Sequence, residues 1–387
     1  MAQGAGRCSR PPPARAMMAS KPCGCRRLRR HGQLRRPRWR RAAALAAAPA
    51  VAALLAPWLP RAGPGFAAPR PFLQEDYRQM RDDRPRTDAF FHALDALAPG
   101  RFVLDLGTGA LALLALRCAR AGAAHVYAVE ALPDAAAAAQ RVVADSGLAD
   151  RVTVLQGHSA ELALPRRVDL VVHEVIGEIA SREGVAAALR DAAVRHVDHT
   201  ALQRGGWSVP RRAVTWAAPA TLPPASYLEE HRARTGAILV TPAAGAPTMR
   251  LPGFPVAGCA LAPAQPLEDL RFGEPGGDAE QLSRQERVLR FRLERPGVLA
   301  GFCLHVTVEC GGGAPEVSSA EPGSHWANVF LVAAAPAAVE AGDCVELQAA
   351  VDLGPRAPVY RAAAALRRRG APATAAPTEI LPEVTFQ

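Results

Sequence analysis

With 387 residues, 49% of them hydrophobic, the chain is long enough for two domains of ordinary size, each with a buried interior. Its formal charge of +10 is unevenly spread: residues 1–74 hold fourteen arginines, Lys21 and no acid, so the remainder stands at −5. A mildly acidic body behind a basic leader argues against nucleic-acid binding by the folded part. The eight cysteines lack paired C-x-x-C spacing, which leaves no metal site, and a chain of this length needs no disulfide staples.

The first element in chain order is the leader. Arg26 to Arg41 is dense in arginine, and Ala42 to Leu59 is an almost unbroken Ala/Leu/Val run that Pro60 closes. These eighteen residues could just span a bilayer, but alanine dominates, Pro49 and Pro57 interrupt, and small residues follow at Gly65-Phe66-Ala67-Ala68. Basic flank, apolar stretch and small-residue end resemble a cleavable targeting segment, and the lack of acids suits organelle import, with a plastid ahead of a mitochondrion. A retained single-span anchor and a basic tail on a cytoplasmic or nuclear protein are the competing readings. On each, residues 1–70 stand outside the fold.

Residues 71–205 read as an α/β domain. Tyr77 to Phe90 suggests a charged amphipathic helix interrupted by Pro85. Phe102 to Leu106 is a short apolar strand, followed by the turn Gly107-Thr108-Gly109 and a helix from Ala110 to Ala121. His125 to Val129 is the next strand, closing on Glu130, and a second helix runs to about Ser146 with Asp134 as its N-cap. Val152–Gln156 and Val168–His173 are two further strands. Strands alternating with helices predict a parallel sheet with ligands at the carboxyl ends of its strands. Glycines let the backbone approach a ligand, the helix start offers free N–H groups, and Glu130 can accept two ribose hydroxyl protons. A nicotinamide-binding domain would share this loop, with Ala112 at its third glycine, and a purely structural glycine turn is the bland reading.

The fourth strand runs into Val172-His173-Glu174-Val175-Ile176-Gly177-Glu178, and a loop brings Glu183 nine residues after Glu174. A zinc-protease reading of His173-Glu174 fails, because Gly177 stands where the second histidine would be. From residue 206 onward helical signals fade. Short runs such as Val288–Leu293, Leu304–Glu309 and Cys344–Gln348, separated by Gly/Pro clusters, predict antiparallel β structure, a sandwich or barrel. Residues 366–377 read as a loop or linker, and Ser324-His325-Trp326 by itself as a core corner.

The Asp105-Leu106-Gly107-Thr108-Gly109 turn with Glu130 downstream resembles the first motifs of class I methyltransferases. Glu174, Gly177 and Glu183 resemble the double-glutamate loop of the protein arginine methyltransferases. Met80, Asp83 and Arg86 stand at the intervals of that family's N-terminal helix, and Ser324-His325-Trp326 is similar to its Thr-His-Trp loop. The four matches fall between about residues 77 and 335, in the family's order. Leu111 stands where the family often has a third glycine.

The resemblance implies a Rossmann-like domain over 71–205, a β-barrel over 206–387 and S-adenosylmethionine as cofactor. Asp105, Gly107, Gly109 and Glu130 would bind it, with Arg86 on its carboxylate, Met80 near the sulfonium and Glu161 near the adenine. Glu174 and Glu183 would hold the acceptor arginine, with His325 paired to Asp83. A guanidinium stays charged and spreads its charge over three nitrogens, so two carboxylates can grip it by charge-assisted bonds and polarise one nitrogen toward the methyl. Arginine-containing proteins would then be the substrates. A homodimer through residues 224–250 is left open. The competing functions are a methyltransferase with a non-arginine acceptor and a weakly active cofactor-binding scaffold.

Overall fold

The computed structural model describes residues 74–235, 240–242, 247–275 and 282–386. The leader of residues 1–70, with its three cysteines, lies outside the described residues.

Five strands form a parallel sheet: β1 (Phe102–Leu106), β2 (His125–Glu130), β3 (Val152–Gln156), β4 (Leu170–His173) and β5 (Ser208–Val209). Their order is β3-β2-β1-β4-β5, so the chain builds outward from β1 on one side and then crosses to the other. The carboxyl ends of β1 and β4 therefore flank the switch point, where open α/β sheets bind ligands. Val103, Leu104, Leu170, Val171 and Val172 are wholly buried. A strand covered on both faces needs such an unbroken apolar run, which is why these strands are visible in the sequence.

Six helices flank the sheet: α1 (Gln74–Asp82), α2 (Arg84–Leu97), α3 (Leu113–Arg120), α4 (Pro133–Asp145), α5 (Val185–Arg195) and α6 (His199–Arg204). The sequence predicts one helix over Tyr77–Phe90, but there are two. Asp83 leaves the helical path and caps α2 by accepting from the Arg86 N–H at 3.2 Å, which places Pro85 in the first turn, where its missing N–H costs nothing. The helix expected from Ala110 begins only at Leu113, because Gly107, Gly109 and Ala112 all hold positive φ. Asp134 is not the N-cap of α4. Pro133 takes the first helical position, Leu132 becomes the cap, and Asp134 falls in the first turn, where it favours the helix dipole instead.

The remaining strands are antiparallel. One sheet has the order β7-β8-β13-β11-β6-β9, with β12 also on β11, and the other has β10-β14-β15-β16. The strands are β6 (Arg212–Ala220), β7 (Val240–Pro242), β8 (Pro247–Pro252), β9 (Gln265–Arg271), β10 (Arg284–Arg292), β11 (Gly297–Glu309), β12 (Val317–Ser318), β13 (Ala327–Val339), β14 (Cys344–Asp352), β15 (Val359–Arg367) and β16 (Thr378–Phe386). The sheets meet where β9 lies against β10 and β13 against β16, which closes a barrel. At the first seam the Gln285 amide replaces ladder bonds, donating to Asp269 O at 2.8 Å and accepting from its N–H at 3.0 Å. The described residues of the 224–250 segment are more regular than its composition suggests: helix α7 (Ala225–Thr235) is followed by β7, which pairs antiparallel with β8. Residues 368–377 link β15 to β16.

One apolar core runs from Phe90 and Leu104 beside the parallel sheet to Phe302, Leu347 and Tyr360 in the barrel. The halves are thus packed together. Among the described residues Cys118, Cys259, Cys303 and Cys310 are buried, Cys344 is exposed, and all are free thiols. No described helix is long and apolar enough to cross a membrane.

Candidate active site

The turn after β1 is tied down by its own strands. Gly107 and Thr108 donate to Val129 O of β2 at 2.9 and 3.0 Å. Asp105, buried, accepts from Thr108 Oγ1 at 2.6 Å and from Ala115 N at 3.0 Å, so it also staples the turn to α3. Burial pushes its carboxyl up to about 6 against those two bonds. Glu130 accepts from Gly109 N and from Leu132 N, each at 2.9 Å and each on a different oxygen. Every carboxylate oxygen has a second lone pair, so the strand-end acceptor keeps capacity for ligand hydroxyls. Gly109 could carry no side chain: φ is +65°, and a Cβ would stand 2.8 Å from the Tyr77 ring. Glu161 is exposed on the turn that follows β3.

Asp83 and His325 come together, the pairing that the resemblance implies. Asp83 accepts from the His325 N–H at 2.9 Å and lies 2.8 Å from His325 Nδ1. Burial pushes its carboxyl up, but the bonds from His325 and Arg86 N–H outweigh that and hold it below the ordinary value. Arg86, 4% exposed, pairs with Glu174 Oε2 at 2.7 Å through Nη2 and donates from Nη1 to Met80 O at 3.1 Å. Its guanidinium lies 5.5 Å from the Phe90 ring centre and 6.0 Å from that of Trp326. Met80 thus meets Arg86 through its backbone carbonyl.

Glu174 leaves the end of β4, and the loop doubles back so tightly that a Cβ on Gly177 would stand 3.0 Å from Arg182 Cβ and 3.4 Å from Glu183 Cγ. Trp326 Nε1 donates to Ile176 O at 3.0 Å, so the His-Trp corner clasps this loop. Glu183 is exposed on the loop, yet desolvation by the surrounding chain, with the charges of Glu174 and Glu178 adding, raises its carboxyl to about 8 against weaker pulls from Arg182 and Arg250. Glu178 is also pushed up by burial, but its ion pair with Arg250 of β8 brings it below the ordinary value. Two buried atoms here have no partner: Glu174 Oε1 and Arg86 Nε. An unpaired buried acceptor and donor beside the switch point are what a polar ligand would satisfy. Arg250, Thr215, Glu268 and Tyr360 close on the loop from the barrel strands. No local pattern marks them in the sequence.

Fold and site define a Rossmann-like α/β domain joined to a β-barrel, with several carboxylates gathered at the switch point. No family model matches the chain. In sequence it is 33% identical over 150 residues to the "Probable protein arginine N-methyltransferase 6" of Arabidopsis thaliana, covering 38% of this chain and 33% of that protein. It is 36% identical over 145 residues to the "Protein arginine N-methyltransferase PRMT10" of Oryza sativa subsp. japonica, covering 37% and 36%. The matched stretch thus spans about a third of the curated relatives' own length. Among solved structures, protein arginine methyltransferase 10 of Arabidopsis thaliana superposes with a TM-score of 0.62 at 18% identity, over 81% of this chain and 98% of that one. The Trypanosoma brucei PRMT1 enzyme-prozyme heterotetrameric complex with AdoHcy gives 0.62 and 18% over 80% and 98%. The family on which these likenesses agree is the protein arginine N-methyltransferases.

Proposed function

We propose that this chain transfers the methyl group of S-adenosylmethionine to a guanidinium nitrogen of arginine in protein substrates. The observation that carries this reading is the pair Glu174 and Glu183 on one tight loop, Glu174 mostly enclosed with Oε1 unpartnered and Glu183 exposed at the loop's far end, its carboxyl raised by desolvation and by neighbouring carboxylates. Two carboxylates against the single guanidinium of Arg86 are the complement of a further cation, and arginine supplies one that cannot be neutralised by losing a proton.

Glu174 and Glu183 hold the guanidinium by charge-assisted bonds, stop its rotation and draw positive charge away from the nitrogen that reacts. The bound cofactor supplies an electrophilic methyl on a sulfonium. Glu130, Gly107 and Gly109 would hold its ribose and backbone-facing side, with Met80, Asp105 and Glu161 around it. Arg86 keeps Nη2 on Glu174 and has Nε to offer a carboxylate. Asp83 and His325 lock the cap of α2 to the His-Trp corner, and Trp326 carries that rigidity to Ile176. In this reading residues 71–205 bind the cofactor and 206–387 wall the acceptor side, with the 224–250 segment as the dimer contact. That relatives sharing a third of their length are named arginine methyltransferases supports it.

Incubating the full chain with labelled cofactor and an arginine-rich peptide should put label on arginine, read by mass analysis of the product. Label on another residue type, or none despite cofactor binding, would reassign the acceptor. The leader is proposed separately as a plastid-targeting segment. Residues 1–70 fused to a fluorescent protein should direct it into the organelle, and diffuse cytosolic signal would refute that.

A further inference from the structure

Shortly before Glu183 the loop is held, at Ala180 and Ser181, by a third glutamate. Glu268 of β9 is wholly buried. Its Oε1 accepts from Ser181 N at 3.0 Å and from Thr215 Oγ1 at 2.7 Å, and its Oε2 accepts from Ser181 Oγ at 2.8 Å. Thr215 Oγ1 in turn accepts from Ala180 N at 2.8 Å. Ser181 Oγ lies 2.7 Å from the Tyr360 hydroxyl. As the serine proton goes to Glu268, the phenol is the donor in that last contact. Each proton of the network then has one destination, and the chains of bonds end on Glu268.

A buried carboxyl is an expensive way to stabilise a core, and burial does push this one up against the bonds from Thr215 and Ser181. Its distinctive effect is local. The Ala180 and Ser181 N–H groups lie in a loop with no ladder to join, and without Thr215 and Glu268 they would be buried donors lacking acceptors. Barrel strands β6 and β9 thereby grip the backbone at Ala180 and Ser181, just before Glu183, and Tyr360 of β15 meets the Ser181 side chain. On the other side of Glu183, Gly184 is pressed so close to Arg356 that a Cβ would strike its carbonyl oxygen.

We propose that Glu268 is the positioning residue of the acceptor loop, fixing Ala180-Ser181 so that Glu183 is presented toward Glu174 while itself touching neither substrate nor cofactor. Its kinetic consequence rests on the arginine-methyltransferase reading; its effect on the loop does not. Glutamine can serve in its place: the amide oxygen accepts from Ser181 N and Thr215, and the NH2 donates to Ser181 Oγ, whose proton turns to Tyr360. Leucine fills the volume but offers no acceptor.

The test compares full-length Glu268→Leu and Glu268→Gln by hydrogen exchange, by affinity for the demethylated cofactor, and by kcat and KM on an arginine-rich peptide. In the leucine variant, exchange at the Ala180 and Ser181 amides should quicken about tenfold or more, and acceptor kcat/KM should fall by a similar factor, as for loss of bonds to a buried charged group. Cofactor affinity and exchange in β1 and β4 should hold within about twofold, the margin left to changes with no shared partners. The glutamine variant should restore all of these. Unchanged exchange at 180–181 in the leucine variant, or cofactor affinity falling in step with kcat/KM, overturns the proposal, as does a glutamine variant no better than leucine. If the leucine variant fails to fold, Glu268→Asp decides, since it keeps the charge but draws the carboxylate one methylene short of Ser181 N. Faster exchange at 180–181 supports the proposal, and wild-type exchange overturns it. A wild-type chain that methylates no arginine would refute the functional reading, and the exchange data would still decide the role of Glu268.

Discussion

At the carboxyl ends of β1 and β2 each polar group is held from within the parallel sheet's own turns and the start of α3, by partners no more than 21 residues away. Asp105 is held by Thr108 and Ala115, and Glu130 by Gly109 and Leu132. Along the loop from Glu174 to Glu183 the holders come from far away: Arg86, Arg250, Glu268 and Trp326. The first region can take its shape as the sheet forms. The second takes shape only when barrel, cap and sheet are all in place. Changes in the barrel should therefore reach acceptor chemistry before they reach cofactor binding.

The largest effect should come from the glutamate pair. Glu183→Gln removes a charge and turns one acceptor into a donor facing the guanidinium, costing about 2–4 kcal/mol of transition-state stabilisation, or roughly a hundredfold in rate. Cofactor affinity measured by calorimetry should stay near wild type. Glu174→Gln should lose as much in rate but also weaken cofactor binding, because it breaks the 2.7 Å pair that orients Arg86. Equal cofactor affinities in the two variants would show that the regions are not coupled through Arg86.

On the cofactor side, Glu130→Ala should raise the cofactor Kd about tenfold or more, since bonds to a charged acceptor are worth about 1.5–3 kcal/mol each. The acceptor-loop amides should keep their exchange rates. Faster exchange there would mean that the regions are not independently held.

The pH dependence separates the regions further. Desolvation and the charges of Glu174 and Glu178 raise the Glu183 carboxyl to about 8, so a guanidinium, which binds the charged form, competes with a proton there. Acceptor KM should therefore fall as pH rises toward 8, by up to about tenfold per unit, and level off above it. Stability of the resting protein runs the opposite way. A carboxyl raised from 4.5 to about 8 on folding contributes fully below the lower value and loses that contribution as pH rises through the upper one. Glu183→Gln should flatten both curves, and a wild-type KM that ignores pH would remove Glu183 from acceptor binding.

The smallest effect belongs to Glu178→Gln. Its partner Arg250 is 44% exposed, so the pair is worth about 0–1 kcal/mol and activity should stay within about fivefold. The pH profile should shift downward, because one of the charges raising Glu183 is gone. A loss as large as that of Glu183→Gln would mean that position within the loop does not matter, and would count against the arginine assignment.

By itself the sequence determined the parallel strands, the glycine turn and the strand-end carboxylate Glu130. Buried strands must be apolar, tight turns need glycine, and both constraints act within a few residues. Its motifs also named Asp83 and His325 as partners by resemblance, although 242 residues separate them. Local backbone chemistry moved three element ends, and only tertiary structure decided the role of Glu268. Pro85 made Asp83 a cap rather than a helical residue, Ala112 took a left-handed turn that delayed α3, and Pro133 displaced Asp134 from the cap of α4. Glu268, read from its strand, is one more acid beside Asp269. Only closing the barrel over the loop turns it inward against Ser181, because a buried backbone N–H takes whichever acceptor the fold brings within reach.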